Sequence, residues 1–222
     1  MTGHLRLVQE GSDALVQTGA DGSKTTDYKM LARLRGVNIN NLTADNFSPS
    51  HNPFGGSSPG VTLVGGKANE AITGGGGDDR ITTEFGNGNI SGEAGNDYLQ
   101  GSDQYDQIQG GFGNDTIYGR GGNDSISDDQ GNNLIDAGDG DDYVSVWASK
   151  SMGQTIAGGA GDDNIYVQVD STSGVASLNG GSGNDTLNII EAKYATVSGG
   201  AGRDILMHSN YWSPAEVLFT DF

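Results

Sequence analysis

Eight aspartates recur at nearly fixed spacing and in one context: Asp79, Asp97, Asp115, Asp124, Asp142, Asp163, Asp185 and Asp204. Each closes a glycine-rich turn and is followed by a short run with an aliphatic residue at its centre. The full pattern G-G-x-G-x-D-x-U, with U aliphatic, starts at Gly74, Gly110, Gly158, Gly180 and Gly199; the copies starting at Gly92, Gly119 and Ala137 lose one glycine and keep the acid. Carboxylates set among main-chain carbonyls are the donor set of a hard dication such as Ca²⁺, which takes six to eight oxygens. One turn offers too few. Two turns stacked one coil apart offer aspartates and the carbonyls of Gly74, Gly92, Gly110, Gly119, Gly158, Gly180 and Gly199, so the sites are expected between coils.

The elements that must hold these turns follow from the period. An aliphatic residue falls at Leu63, Ile72, Ile81, Ile90, Leu99, Ile108, Ile117, Ile126, Ile135 and Val144, then at Ile156, Ile165, Leu178, Leu187, Val197 and Leu206. The three residues around each are too short for an independent strand but suffice as one rung of a stacked parallel sheet, with the central side chain inward. Two nonapeptides make one coil, and the expected fold is all-β: a parallel β-roll of about eight 18-residue coils with two facing sheets. Glycine is needed where a turn takes positive φ and brings backbone close to an ion.

Alternate turns fall on alternate edges. On one edge the acid is present at Asp79, Asp97 and Asp115; on the other at Asp124, Asp142, Asp163, Asp185 and Asp204. The opposing turns are degenerate: Glu70 and Gly88 fill the acid position early, Asn133, Gln154 and Ala176 fill it later, and Asp106 keeps the acid without most of the glycines. Neighbouring aspartates along an edge predict six sites, with two weaker ones at Asp106 with Asp124 and at Asp115 with Asn133. Six dications, carrying +12 between them, would take the net charge of −18 to about −6. Insertions after Val144, Ile165 and Leu187 lengthen the later rungs. Val144, Val146, Ile165, Val167, Val169, Leu187 and Ile189 are expected inward, and Tyr143, Trp147, Tyr166 and Ile190 outward.

Of the 222 residues, 39 are glycine and 33% are hydrophobic, which argues against a helical or sandwich core. Eleven basic residues against 29 acidic ones argue against nucleic acid and anionic membrane as partners. There is no cysteine and no 18-residue apolar run, so no thiolate metal site and no transmembrane segment is expected. No cleavable signal peptide is apparent, so the chain, if exported, is expected to leave by another route. Residues 1–55 lack the repeat and read as a small β unit and linker, residues 56–207 as the roll, and residues 208–222 as a cap on its open end. Tyr28 to Arg35 fits either a strand or a short helix.

Catalytic readings find little support. The Gly74 turn lacks the lysine and hydroxyl of a phosphate-binding loop, and His4, His51 and His208 form no HExxH motif. The Asn-Asp-Thr/Ser triplets at Asn114, Asn123 and Asn184 are spelled by the repeat itself. Tyr143, Trp147 and Tyr166 are a possible ligand face, since outward aromatics can stack on sugars; packing against the N-terminal unit or Tyr211-Trp212 is the simpler reading.

The repeats from about Gly56 to Met207 resemble the RTX family, the haemolysin-type calcium-binding nonapeptide repeats of proteins exported by type I secretion. The resemblance implies a calcium-loaded β-roll, disordered in the low-calcium cytosol and folded after release, with the type I machinery as a transient partner. Residues 4–47 are similar, more loosely, to segments that accompany such arrays. Three functions are compatible: a non-catalytic calcium-folded module of a larger secreted protein, a polysaccharide- or surface-binding module, or the appendage of a secreted enzyme.

Overall fold

The structure, a computed structural model, describes residues 4–10, 13–19, 29–34, 60–66, 69–148, 153–169, 175–192, 194–209 and 216–221. All its regular elements there are strands. Three precede the repeats: β1 (His4–Glu10), β2 (Asp13–Gly19) and β3 (Lys29–Leu34). The next nine are β4 (Thr62–Gly65), β5 (Ala71–Gly76), β6 (Arg80–Thr83), β7 (Asn89–Ala94), β8 (Tyr98–Gln100), β9 (Gln107–Phe112), β10 (Thr116–Gly121), β11 (Ser125–Asp128) and β12 (Asn133–Asp139). The last eight are β13 (Tyr143–Ala148), β14 (Gly153–Ala160), β15 (Asn164–Val169), β16 (Val175–Ser182), β17 (Thr186–Ile190), β18 (Tyr194–Ala201), β19 (Ile205–Ser209) and β20 (Glu216–Thr220).

From β4 onward successive strands alternate between two sheets. The even-numbered strands β4 to β20 run in order through one sheet and the odd-numbered strands β5 to β19 through an eight-stranded sheet, all in parallel pairs. The result is a parallel β-solenoid. Register follows the nonapeptide: Ile81 sits beside Leu99, Leu99 beside Ile117, Ile117 beside Ile135. A one-residue slip would turn every aliphatic side chain outward, so this register is strongly enforced.

The core is a double file of these residues. Every expected inward aliphatic from Ile81 to Val197 is buried, while Leu63, Ile72 and Leu206 at the two ends are partly buried. Each contributes roughly 1.5–3 kcal/mol of burial, and a coil of 18 residues supplies just two, so one coil cannot hold itself together. The longer late rungs pack as expected: Val144, Val146, Ile165, Val167, Val169, Leu187 and Ile189 are fully buried, and Tyr143 and Trp147 point outward.

At the two ends the structure goes beyond the sequence reading. Residues 29–34 form a strand, not a helix, and β3 pairs antiparallel with both β2 and β4, through Leu34 and Leu63 in the second case. The strands β1 to β3 therefore continue the even-numbered sheet, which totals twelve strands. The linker at residues 48–59 lies outside the described residues. At the other end β20 pairs in register with β18, from Tyr194 beside Glu216 to Ser198 beside Thr220. The tail adds a further rung to the roll.

Candidate metal centre

Each repeat aspartate reaches across to the coil before it. On the first edge the backbone N–H of Val61 donates to Asp79 Oδ1 at 2.7 Å, Asp79 to Asp97 at 2.7 Å, and Asp97 to Asp115 at 2.8 Å. On the second edge Asp106 donates to Asp124 at 2.7 Å, Asp124 to Asp142 at 2.6 Å, Asp142 to Asp163 at 2.9 Å, Asp163 to Asp185 at 2.9 Å, and Asp185 to Asp204 at 3.0 Å. The neighbour pairs read from the spacing are thus physical contacts. The lengthened coils of 21, 22 and 19 residues keep them.

The other carboxylate oxygen is different. Among the described residues, Oδ2 of Asp79, Asp97, Asp115, Asp124, Asp142, Asp163 and Asp185 accepts no hydrogen bond, although all seven side chains are buried. A buried carboxylate oxygen without a partner is costly unless a cation or proton meets it. Burial pushes the carboxyls of Asp97 and Asp124 up to about 8, those of Asp79 and Asp163 to about 7, and that of Asp142 to about 6, with backbone N–H donation opposing and neighbouring aspartates adding to the rise. Asp185 is raised for the same reasons. The described residues thus gather carboxyls whose second oxygen they leave unsatisfied.

Main-chain carbonyls from the following coil converge on the same points. A methyl group on Gly92 would overlap Asp97 Oδ2 and lie 2.6 Å from the Gly110 carbonyl oxygen; on Gly158 it would overlap Asp163 Oδ2 and lie 2.5 Å from the Gly180 carbonyl. On Gly180 it would meet Asp185 Oδ2 and the Gly199 carbonyl, and on Gly119 both Asp124 Oδ2 and the Ala137 carbonyl. Gly74 stands in the same relation to Asp79 Oδ2. A carboxylate oxygen and a carbonyl from the next coil therefore share one small space, the donor chemistry of a hard dication. No three His, Cys, Asp or Glu side chains converge anywhere among the described residues.

Left-handed backbone opens this space. Positions two and four of each of these turns have positive φ, and non-glycine residues accept it where they must: Glu93 at 75° and Arg120 at 82°. The three copies lacking one glycine thus keep the geometry. In the Asp106 turn neither Ser102 nor Gln104 is left-handed, and the Ser102 N–H donates to Asp106 Oδ2 at 2.6 Å. The Gly88 N–H donates to Asp106 Oδ1. Both oxygens of Asp106 are satisfied by backbone N–H groups, although its Oδ2 and the Gly119 carbonyl also converge beside Gly101; in the other turns Oδ2 has no such donor among the described residues. Glu70 is likewise met by Gly66 N–H at 3.0 Å.

The remaining predicted position, Asn133, accepts from Asp115 N–H at 2.9 Å and continues the first edge without a charge. Beyond it Gln154 donates back to the Gly131 carbonyl at 2.6 Å, and Ala176 and Ala195 are buried in the same file.

Three features escaped the sequence reading. The residue before each aspartate forms an exposed ladder of its own, with Asn96 donating to Asp78, Asn114 to Asn96 and Asn132 to Asn114. The 18-residue recurrence of Asn and Asp at that position was its signal. Asp221 takes φ of 55°, and its carbonyl lies 2.8 Å from where a Gly199 methyl would stand, beside Asp204 Oδ2. The tail thus offers the last turn the carbonyl that a further repeat would supply. Asp128, fully buried, is the third. On the outer face Trp147 is 55% exposed, with its ring 6.4 Å from that of Tyr166, and Tyr143 is exposed nearby. Tyr211-Trp212 lies outside the described residues.

A parallel solenoid with files of half-satisfied aspartates between its glycine turns defines a cation-binding repeat protein. The model of the RTX calcium-binding nonapeptide repeat matches residues 62–90, 91–126, 118–148, 153–167 and 170–188, more than half of the chain, and the chain belongs to that family. Such repeats bind calcium. Comparison with curated proteins and with solved structures gives no match. No helix among the described residues is long and apolar enough to cross a membrane.

Proposed function

We propose that the chain is a non-catalytic calcium-binding module of a larger secreted protein, one that folds when it meets calcium outside the cell after type I export. The observation that carries this reading is the file of buried Oδ2 atoms that no group among the described residues satisfies. Two such files bring the carboxylates of successive coils together, and without cations they repel. Metal binding then becomes folding free energy. About six ions suit the six aspartate pairs along the two edges. Circular dichroism during a calcium titration, with Mg²⁺ as control, should show cooperative folding at roughly 10⁻⁴ to 10⁻³ M, the range of extracellular sites. A chain already fully folded in chelator would sink the proposal.

A second reading rests on the Trp147–Tyr166 pair, which presents adjoining aromatic faces on a flat sheet. In that reading the roll displays them to a polysaccharide. Substituting both by Ser should abolish retention on a glycan column while calcium-dependent folding persists; unchanged retention would rule it out.

A further inference from the structure

We propose that Asp128 is a second carboxylate ligand of a divalent cation held with Asp115, at the point where the first edge loses its repeat aspartates. The proposal rests on the calcium-binding reading above and extends it to a turn that the nonapeptide pattern counts as degenerate.

Asp128 stands at position one of the turn Asp128-Asp129-Gln130-Gly131-Asn132-Asn133, where the turn before it has Gly110. Its side chain is fully buried. Oδ1 is held by two donors, the Asn133 side-chain amide at 2.7 Å and the Gln130 N–H at 3.2 Å. Oδ2 accepts no hydrogen bond among the described residues, and the same is true of Asp115 Oδ2. Both point into the space beside Gly110: a methyl there would overlap Asp128 Oδ2 and lie 2.7 Å from Asp115 Oδ2. In the turn before, the corresponding space holds one carboxylate oxygen, from Asp97, and the Gly110 carbonyl. At the end of the file a second carboxylate takes the carbonyl's place.

Asn133 explains why the arrangement needs an amide at position six. Its Oδ1 accepts from the Asp115 N–H at 2.9 Å while its Nδ2 donates to Asp128. An aspartate there could do the first and would repel Asp128 in place of the second. The loss of the repeat acid at Asn133 and the gain of an acid at Asp128 are one change, which moves a carboxylate from the ladder into the ion's own space. Two buried carboxylates facing one point require a shared proton or a cation between them. We assign that place to a hard dication, which takes both oxygens as ligands.

The test is a calcium count on the full chain by equilibrium dialysis at saturating calcium near neutral pH, for wild type, Asp128→Asn and Asp128→Ala. The second variant removes the carboxylate without adding an amide and guards against misfolding by the first. The proposal expects both variants to bind one calcium fewer than wild type, with the other ions retained and the circular dichroism of the calcium-loaded roll unchanged. A folded variant that binds as many ions as wild type would overturn it, and would mean that Asp115 and Asp128 share a proton in place of an ion. If wild type itself bound no calcium, the calcium-binding reading would fall with it.

Discussion

The two edges of the roll run in opposite senses. Along the first, the position that reaches to the preceding coil reads Asp79, Asp97, Asp115, Asn133, Gln154, Ala176: acid at the start, amide in the middle, apolar at the end. Along the second it reads Gly88, Asp106, Asp124, Asp142, Asp163, Asp185, Asp204, with the acid arriving late and persisting. The instructive pair is Asp106 and Asp124, one coil apart on the same edge and linked by a 2.7 Å hydrogen bond. Both are buried aspartates at the same register. One is satisfied by the Ser102 N–H, and the other has Oδ2 without a donor. The two turns differ in backbone: positions two and four are left-handed before Asp124 and not before Asp106, where the Ser102 N–H reaches the carboxylate.

The largest expected effect separates the files from the rest of the molecule by pH. Carboxyls raised to about 6 to 8 in the fold, against about 3.9 unfolded, bind more protons folded than unfolded. In chelator their protonation therefore supports the fold fully below about pH 4 and ceases to do so as pH rises through 6 to 8. Chelated protein should gain structure on acidification across that window. Calcium-loaded protein should show the reverse, since protons compete for the same oxygens. Circular dichroism against pH with and without calcium checks both signs.

Next in size is a pair of substitutions that share one chemistry. Asp163→Asn keeps the Oδ1 acceptor but removes a charge from a half-satisfied site. It should lose bound calcium and cost roughly 3–5 kcal/mol in calcium-containing denaturant titrations, the scale for breaking a buried charge pair. Asp106→Asn should leave the ion count intact and cost about 1–3 kcal/mol through a mismatched donor at Ser102. Equal losses of calcium in both would erase the distinction between the two kinds of turn.

A smaller effect would convert one kind into the other. Ser102→Gly with Gln104→Gly allows both positions the left-handed backbone, and dialysis should then count one added ion at Asp106. Smallest is Glu93→Gly, which relieves a left-handed non-glycine residue and should stabilise the loaded roll by about 1 kcal/mol in denaturant titrations.

The solenoid was legible because its period is rigid: with aliphatic residues nine apart from Ile81 to Val144, little but a stacked roll satisfies them all. The aspartate pairs were legible for the same reason, and the 21- and 22-residue coils did not hide them because each insertion keeps the strand alternation. What stayed hidden depends on backbone dihedrals and side-chain reach. Nothing in the letters shows that Glu93 and Arg120 accept positive φ while Ser102 does not. Asp128 has no place in the nonapeptide pattern, since its setting comes from burial beside Gly110 and from the amide of Asn133. The tail looked like a cap because its sequence leaves the nonapeptide, yet its parallel register with β18 brings the Asp221 carbonyl to the last turn.

The most direct test is a crystal structure of the calcium-loaded chain with anomalous difference density recorded to locate the ions. The account predicts peaks beside Oδ2 of Asp97, Asp124, Asp163 and Asp185, each shared with the glycine-turn carbonyl of the following coil, and no peak beside Asp106. Density at Asp106, or empty space beside those four carboxylates, would contradict it.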